Sequence, residues 1–209
     1  MTKKKVKPYV SRAGVKLEHA LREFEIDVAG LVCADFGCHA GGFTDCLLRH
    51  GAARVVALDT GYGVLDYRLR TDPRVEVRER TNVLHCPPPD EPVDLVTIDL
   101  GWTRQRLAIP AALGWLAPGG AIISLIKPHY ELDDDQKRSM LVNGLLGDLH
   151  AVVVLREVLG DLPGLGVEVV ASTPSPIRGA KSARKARRGG DPANLAPGNL
   201  EYLVLARKK

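Results

Sequence analysis

No run of apolar residues in this chain approaches the roughly 18 that a membrane-spanning helix needs. The N-terminus, MTKKKVKPYV, is basic but has no apolar segment behind it, so the pattern of a secretory signal is absent. Cys33, Cys38, Cys46 and Cys86 show no Cys-x-x-Cys spacing with a paired histidine. Neither a disulfide framework nor a metal site is expected from them, and reduced thiols of a cytoplasmic protein are. No internal repeat is present. The dinucleotide fingerprint G-x-G-x-x-G is missing too: the first glycine loop has glycines at 37, 41 and 42, with His39 where the second glycine would stand. That spacing disfavours a nicotinamide-dependent oxidoreductase.

What is present has the composition of a soluble globular protein. The hydrophobic fraction is 45% and the charged fraction 26%. At 209 residues there is room for one sizeable domain, expected over residues 11–209 behind a basic tail of residues 1–10. The net charge of +4 is mild, but its distribution is uneven. Lysines and arginines cluster at Lys3–Lys5 with Lys7, at Lys181–Arg188 and at Arg207–Lys209. The central cluster, with Lys181, Arg184, Lys185, Arg187 and Arg188, lies in a Pro/Gly-rich loop expected over Thr173–Gly198. A loop that long inside a domain is usually functional or disordered. Its charge suits a polyanionic partner such as RNA.

The stretch Leu31–Cys46, LVCADFGCHAGGFTDC, organises the chain. A short apolar run to Phe36 reads as a buried strand, Gly37 breaks it, and Gly41–Gly42 lead into a helix expected to end near His50. Strand, glycine loop and helix start suit a ligand that lies against bare backbone. Asp35 would repel a pyrophosphate and welcome a cation. The reading is an S-adenosylmethionine loop, with Asp35, Gly37, His39, Gly41, Gly42 and Phe43 as cofactor-binding candidates. Roughly twenty residues after Gly37, Asp59 ends the second strand, Arg54–Asp59, where an acid takes ribose hydroxyls. Asn82 and Val83 follow a short third strand, Val75–Val77, at the adenine position.

Around this centre the pattern alternates. Ser11–Phe24 reads as an amphipathic helix with Ser11 as N-cap. Val93–Asp99 is a fourth strand whose terminal acid faces the cleft. Gln105–Trp115 is a helix closed by Pro118-Gly119-Gly120, and Ala121–Ile126 a fifth strand with Lys127 at its exit. One long helix is expected from Asp133–Asp135 to about Leu159. Val167–Ala171 is the sixth strand, and Leu200–Ala206 a final one that must run antiparallel. The expected fold is therefore α/β, a mainly parallel seven-stranded sheet with an antiparallel final strand and helices on both faces. Asp99, Lys127 and Glu201 meet at one sheet edge in this topology, while the place of Lys16 is open. A ribose hydroxyl needs a base to remove its proton as it attacks, and a lysine can be that base once its ammonium is deprotonated.

The segments YVSRAGVKLEHAL, DFGCHAGGFTDCLL, ALDTGYGVLDYRLR, IKPHYE, TPSPI and GNLEYL resemble the TlyA/haemolysin-A-like branch of the FtsJ-type RNA ribose 2′-O-methyltransferases, from about Tyr9 to the C-terminus. The resemblance implies a Rossmann-like class I methyltransferase fold, S-adenosylmethionine as cofactor, and ribosomal RNA or a ribosomal subunit as partner. It also implies a K-D-K-E catalytic tetrad, placed here at Lys16, Asp99, Lys127 and Glu201. Three features depart from that pattern. Members of the branch usually carry a small N-terminal RNA-binding domain, and this sequence starts without one. Leu100-Gly101-Trp102-Thr103-Arg104 stands where the family has roughly V-S-F-I-S. The basic insert Lys181–Arg188 is longer than expected. An RNA-binding pseudoenzyme that keeps the fold is the competing expectation, and the haemolysin label raises membrane lysis, which the lack of an apolar span disfavours.

Overall fold

A computed structural model describes residues 9–179 and 198–209. Nine strands and seven α-helices are formed among the described residues. Seven strands make one sheet in the order β3 (Val75–Arg78), β2 (Arg54–Leu58), β1 (Val32–Phe36), β4 (Val93–Ile98), β5 (Leu116–Ile126), β9 (Tyr202–Lys208), β8 (Val167–Pro174). Strands β1 to β5 run parallel to one another, and β9 runs antiparallel between β5 and β8. The antiparallel closing strand is as expected. The chain reverses direction between β1 and β4, and that switch point opens a crevice at the strands' carboxyl ends.

Both faces of the sheet are covered at its centre, which explains why the central strands read as nearly unbroken apolar runs. Alternation sorts their side chains. Cys33, Val55, Leu95, Ile123 and Leu203 point to one face and pack with Leu17 and Leu21 of α1 (Ala13–Glu23) and Leu47 of α2 (Gly42–Arg49). Phe36, Val56, Val96, Ile122 and Val204 point to the other and meet Ile109 of α4 (Gln105–Leu113) and Leu155 of α7 (Asp148–Asp161). Phe36 there meets Trp115 edge to face at 5.2 Å. Such a pair adds about 0.5–1.5 kcal/mol beyond the area it buries.

Four expectations are corrected. The long helix is broken into α6 (Asp134–Met140), a hairpin of β6 (Leu141–Val142) and β7 (Leu145–Leu146), and then α7. The break is the Asn143-Gly144 pair, whose φ values of 52° and 76° are the two left-handed positions of a two-residue hairpin turn. Secondly, Ser11 is not the N-cap of α1. Arg12 holds that position, and the Ser11 hydroxyl accepts from the Ala13 N–H at 3.2 Å. Thirdly, β5 starts at Leu116, because Pro118-Gly119-Gly120 forms an irregularity in the strand rather than ending the helix before it. A Cβ at Gly120 would lie 3.0 Å from the Asp94 carbonyl oxygen, a tighter contact than side chains ordinarily make, so the backbones there must shift to admit one. Finally, Glu201 lies just ahead of β9 and not within it. Two short helices escaped the pattern, α3 (Tyr67–Arg70) and α5 (Pro128–Glu131), each only four residues long.

Candidate active site

The first strand ends by necessity at Gly37. Its φ is 86°, and a Cβ there would lie 2.9 Å from the Asp99 carbonyl oxygen, so β1 and β4 approach too closely for any other residue. The chain then turns through His39, also left-handed at φ 45°. The His39 N–H donates to Asp59 Oδ2 at 2.9 Å, while Asp59 Oδ1 accepts from the Gly61 N–H at 2.7 Å. Asp59 thus ties the glycine loop to its own turn, and each of its oxygens keeps a further lone pair for a hydroxyl donor. Gly41 is the left-handed N-cap of α2, pressed against Leu65 and Leu69, and Gly42 abuts Ser11 and Ala13. These two glycines shape the turn from behind.

Asp35 is fully buried. One oxygen accepts from the Thr44 N–H at 2.9 Å and from its hydroxyl at 2.7 Å, which anchors the start of α2. Burial raises the Asp35 carboxyl to about 7, with the Asp99 charge pushing the same way and the Thr44 hydrogen bonds opposing both. Two hollows meet at this loop. One, about 290 Å³, is lined by Asp35, Gly37, His39, Phe43, Asp99 and Lys127 among others. The second, about 240 Å³, is lined by Gly37, His39, Asp59, Asn82, Val83 and Asp99 among others. Gly37, His39 and Asp99 belong to both, so one elongated ligand can occupy the pair. Gly41 and Gly42 line neither hollow.

Beyond Asp99 lies a larger cleft of about 620 Å³, into which Lys16, Asp99, Lys127 and Glu201 all project. The four form two ion pairs. Lys16 from α1 is bonded to Glu201, and both side chains are buried, 7% and 4% exposed. Lys127 Nζ, at the exit of β5, lies 2.5 Å from Asp99 and also donates to the Leu100 carbonyl at 3.0 Å. Each acid therefore holds one lysine, Glu201 the Lys16 that the sequence left unplaced and Asp99 its strand-end neighbour Lys127. The helix that carries Lys16 packs on α2 and β9, a placement no local pattern could reveal.

The cleft contains residues that pattern reasoning missed. Trp102 is 82% exposed, has φ 61°, and stacks on Tyr130 with ring centroids 4.6 Å apart. His129 lies beside Tyr130, and its Nδ1 is buried with no hydrogen-bond partner among the described residues. Burial lowers the His129 imidazole to about 4, helped by the Lys127 cation, so it is neutral at ordinary pH. Glu131 accepts from the Gln105 N–H with both oxygens and so fastens α5 to the start of α4. Burial raises it to about 7, against that hydrogen bond and the charges of Arg104 and Arg106. The hairpin supplies Leu141, Asn143, Gly144 and Leu145, and Asn199 completes the wall. The Asn-Gly dipeptide was the signal for the hairpin.

Lys181, Arg184, Lys185, Arg187 and Arg188 lie outside the described residues. The glycines that flank that stretch, Gly179 and Gly198, both line the cleft. Among the described residues no cluster of His, Cys, Asp or Glu is arranged to hold a metal, and Cys33, Cys38, Cys46 and Cys86 are free thiols. No helix among them is long and apolar enough to cross a membrane.

A mostly parallel sheet of this order, with its glycine loop after β1 and its antiparallel β9, defines a Rossmann-like methyltransferase fold. The S-adenosylmethionine-dependent methyltransferase of Mesorhizobium loti superposes with a TM-score of 0.60 at 18% identity, over 91% of this chain and 96% of that one. The chain belongs to the FtsJ-like methyltransferase family, whose model matches residues 9–185. It is 45% identical over 130 residues to the 16S/23S rRNA (cytidine-2′-O)-methyltransferase TlyA of Mycobacterium tuberculosis, covering 61% of this chain and 48% of that protein. A solved Streptococcus thermophilus structure described as a candidate hemolysin matches with a TM-score of 0.84 at 30% identity, over 99% of this chain and 70% of that one. The chain spans about half the length of the curated relatives it matches, 54% and 48% of two of them.

Proposed function

We propose that this chain is an S-adenosylmethionine-dependent RNA 2′-O-methyltransferase that acts on ribosomal RNA, with Lys16, Asp99, Lys127 and Glu201 as its catalytic set. The observation that carries the reading is the junction at Asp99, which lines both loop hollows and the cleft holding the two ion pairs. The residues present fit the cofactor. Asp59 has lone pairs free for ribose hydroxyls, Asn82 and Val83 flank the adenine end, and the Asp35 carboxyl offers a negative charge to the cationic methionine end. When bound, S-adenosylmethionine supplies a methyl group made electrophilic by its sulfonium sulfur.

The protein's own residues do the rest. Trp102 gives the acceptor nucleotide an exposed stacking face beside Tyr130. Lys127, oriented by Asp99, acts as the base in its neutral form: after its ammonium has given a proton to solvent, the free amine accepts the proton of the 2′-hydroxyl as the oxygen attacks. Lys16 and Glu201, paired and buried, fix the hydroxyl in line with the methyl group.

The test is transfer of labelled methyl groups into ribosomal RNA and into intact subunits, wild type beside Lys127→Ala. Label in ribose, reduced on the order of 100-fold or more by the substitution with cofactor affinity kept, is the expected result. Near-normal turnover by Lys127→Ala overturns its role as base. Cofactor binding with no label in any RNA assigns the chain to the non-catalytic RNA-binding alternative.

A further inference from the structure

The β6–β7 hairpin stands over the cleft, yet few side chains hold it there. Its apolar residues Leu141 and Leu146 sit on a small satellite core with Leu132, Ala151, Val154 and Leu200. Among the described residues, its polar attachment is one side chain. Asn199 Oδ1 accepts from the Leu146 N–H at 2.8 Å, and Asn199 Nδ2 donates to the Gly144 carbonyl at 3.0 Å. Only this orientation of the amide satisfies both partners, so the hairpin backbone is read as one donor and one acceptor at fixed spacing. Both Asn199 and Glu201 line the cleft, two residues apart, so one residue grips the hairpin and the other grips Lys16.

The surroundings make Asn199 a junction. Its carbonyl accepts from the Gly179 N–H at 3.0 Å. Arg178 reaches Asp148 at the start of α7 through two bonds of 2.9 and 2.7 Å, and donates to the Gly198 carbonyl at 3.2 Å. Arg12 in turn donates to the Arg178 carbonyl at 3.1 Å. A ring of contacts thereby joins α1, the hairpin, α7 and the approach to Glu201 around the cleft mouth. None of the hairpin residues lines either loop hollow.

We propose that Asn199 is a positioning residue for the acceptor strand. It clamps the hairpin as the cleft wall that faces an incoming RNA nucleotide, and thereby sets RNA affinity independently of cofactor affinity. The inference rests on the RNA methyltransferase reading. Asn199→Ala frees the hairpin, and RNA affinity falls on the order of tenfold, as expected for losing one or two neutral hydrogen bonds. Gly144→Val perturbs the same element from its other side, because a β-branched residue cannot hold φ 76° without strain, while its Cβ would meet nothing within 4 Å.

The experiment measures three quantities for wild type, Asn199→Ala, Gly144→Val and the double variant: equilibrium affinity for a ribosomal RNA fragment, cofactor affinity, and the split between KM and kcat. RNA affinity and KM weakened about tenfold in each single variant, kcat and cofactor affinity within about twofold, and no further loss in the double variant are the expected results. Unchanged RNA affinity in Asn199→Ala overturns the inference. So does a loss confined to kcat, which would place the action of Asn199 on Glu201. Multiplying losses in the double variant likewise overturn a shared route through the hairpin. Equilibrium RNA binding needs no turnover, so an inactive wild type would refute the methyltransferase reading while the clamp is still scored on affinity.

Discussion

Asp35 gives the sharpest physical test, because its carboxyl is buried, hydrogen-bonded and raised to about 7 from an ordinary value of 3.8. A raised acid is favoured in its protonated form by the fold. Its contribution is therefore fully present below about pH 4 and is lost as pH climbs to about 7. A tenfold change in proton affinity is worth about 1.36 kcal/mol, so roughly 4 kcal/mol of stability drains away over that window as an upper figure. Asp35→Asn removes the charge but can still accept from Thr44. The variant should gain stability relative to wild type steadily between pH 4 and 7, and the difference should level off above pH 7. Urea denaturation at several pH values measures it, and taking the difference cancels the contributions of Glu131 and His129. A cationic cofactor end near Asp35 would also hold the carboxylate ionised, so binding at pH 6 should release close to one proton in wild type and far less in Asp35→Asn. Calorimetry in buffers of different ionisation enthalpy reads that proton. A stability difference that stays flat from pH 5 to 8 would refute the reasoning, for it would mean the buried carboxyl does not titrate there.

Further outcomes follow from the two ion pairs and the exposed stack. Glu201→Gln should cost about 3–5 kcal/mol of stability, because it leaves the Lys16 ammonium buried without its counter-charge. Lys16→Met combined with Glu201→Gln should recover much of that loss while remaining inactive, which separates folding from catalysis in denaturation and methyl-transfer assays. Trp102→Ala should weaken RNA binding by the roughly 1–3 kcal/mol of one stacked base, with the cofactor affinity of the wild type. An RNA affinity that survives the substitution would remove Trp102 from the acceptor site.

The legible parts of this protein were those written locally. Apolar runs flanked by glycine marked the central strands, and both-sided burial made them nearly continuous. Gly37 could be picked out because strand, glycine and helix start follow one another directly, and Asp59 and Asp99 because they end strands. Local reasoning failed where two signals competed. Between Asp133 and Leu159 the apolar residues on either side of Asn143-Gly144 outweighed the turn dipeptide, and a hairpin was read as helix. At Pro118-Gly119-Gly120 the opposite happened, since a strand irregularity carried the residues of a stop.

By itself, the sequence determined the alternation of strands and helices, the antiparallel closing strand and the glycine loop, since each depends on neighbours within a few residues. Family resemblance added which four charged residues to watch. Only the tertiary structure decided that Lys16 pairs with Glu201 and Lys127 with Asp99, that Trp102 lies on Tyr130, and that Asn199 holds the hairpin. Those contacts join residues from 28 to 185 positions apart in Trp102–Tyr130 and Lys16–Glu201. Their partners are chosen by how α1 and the loops after β4, β5 and β8 pack at one edge of the sheet, and no periodicity along the chain encodes that choice.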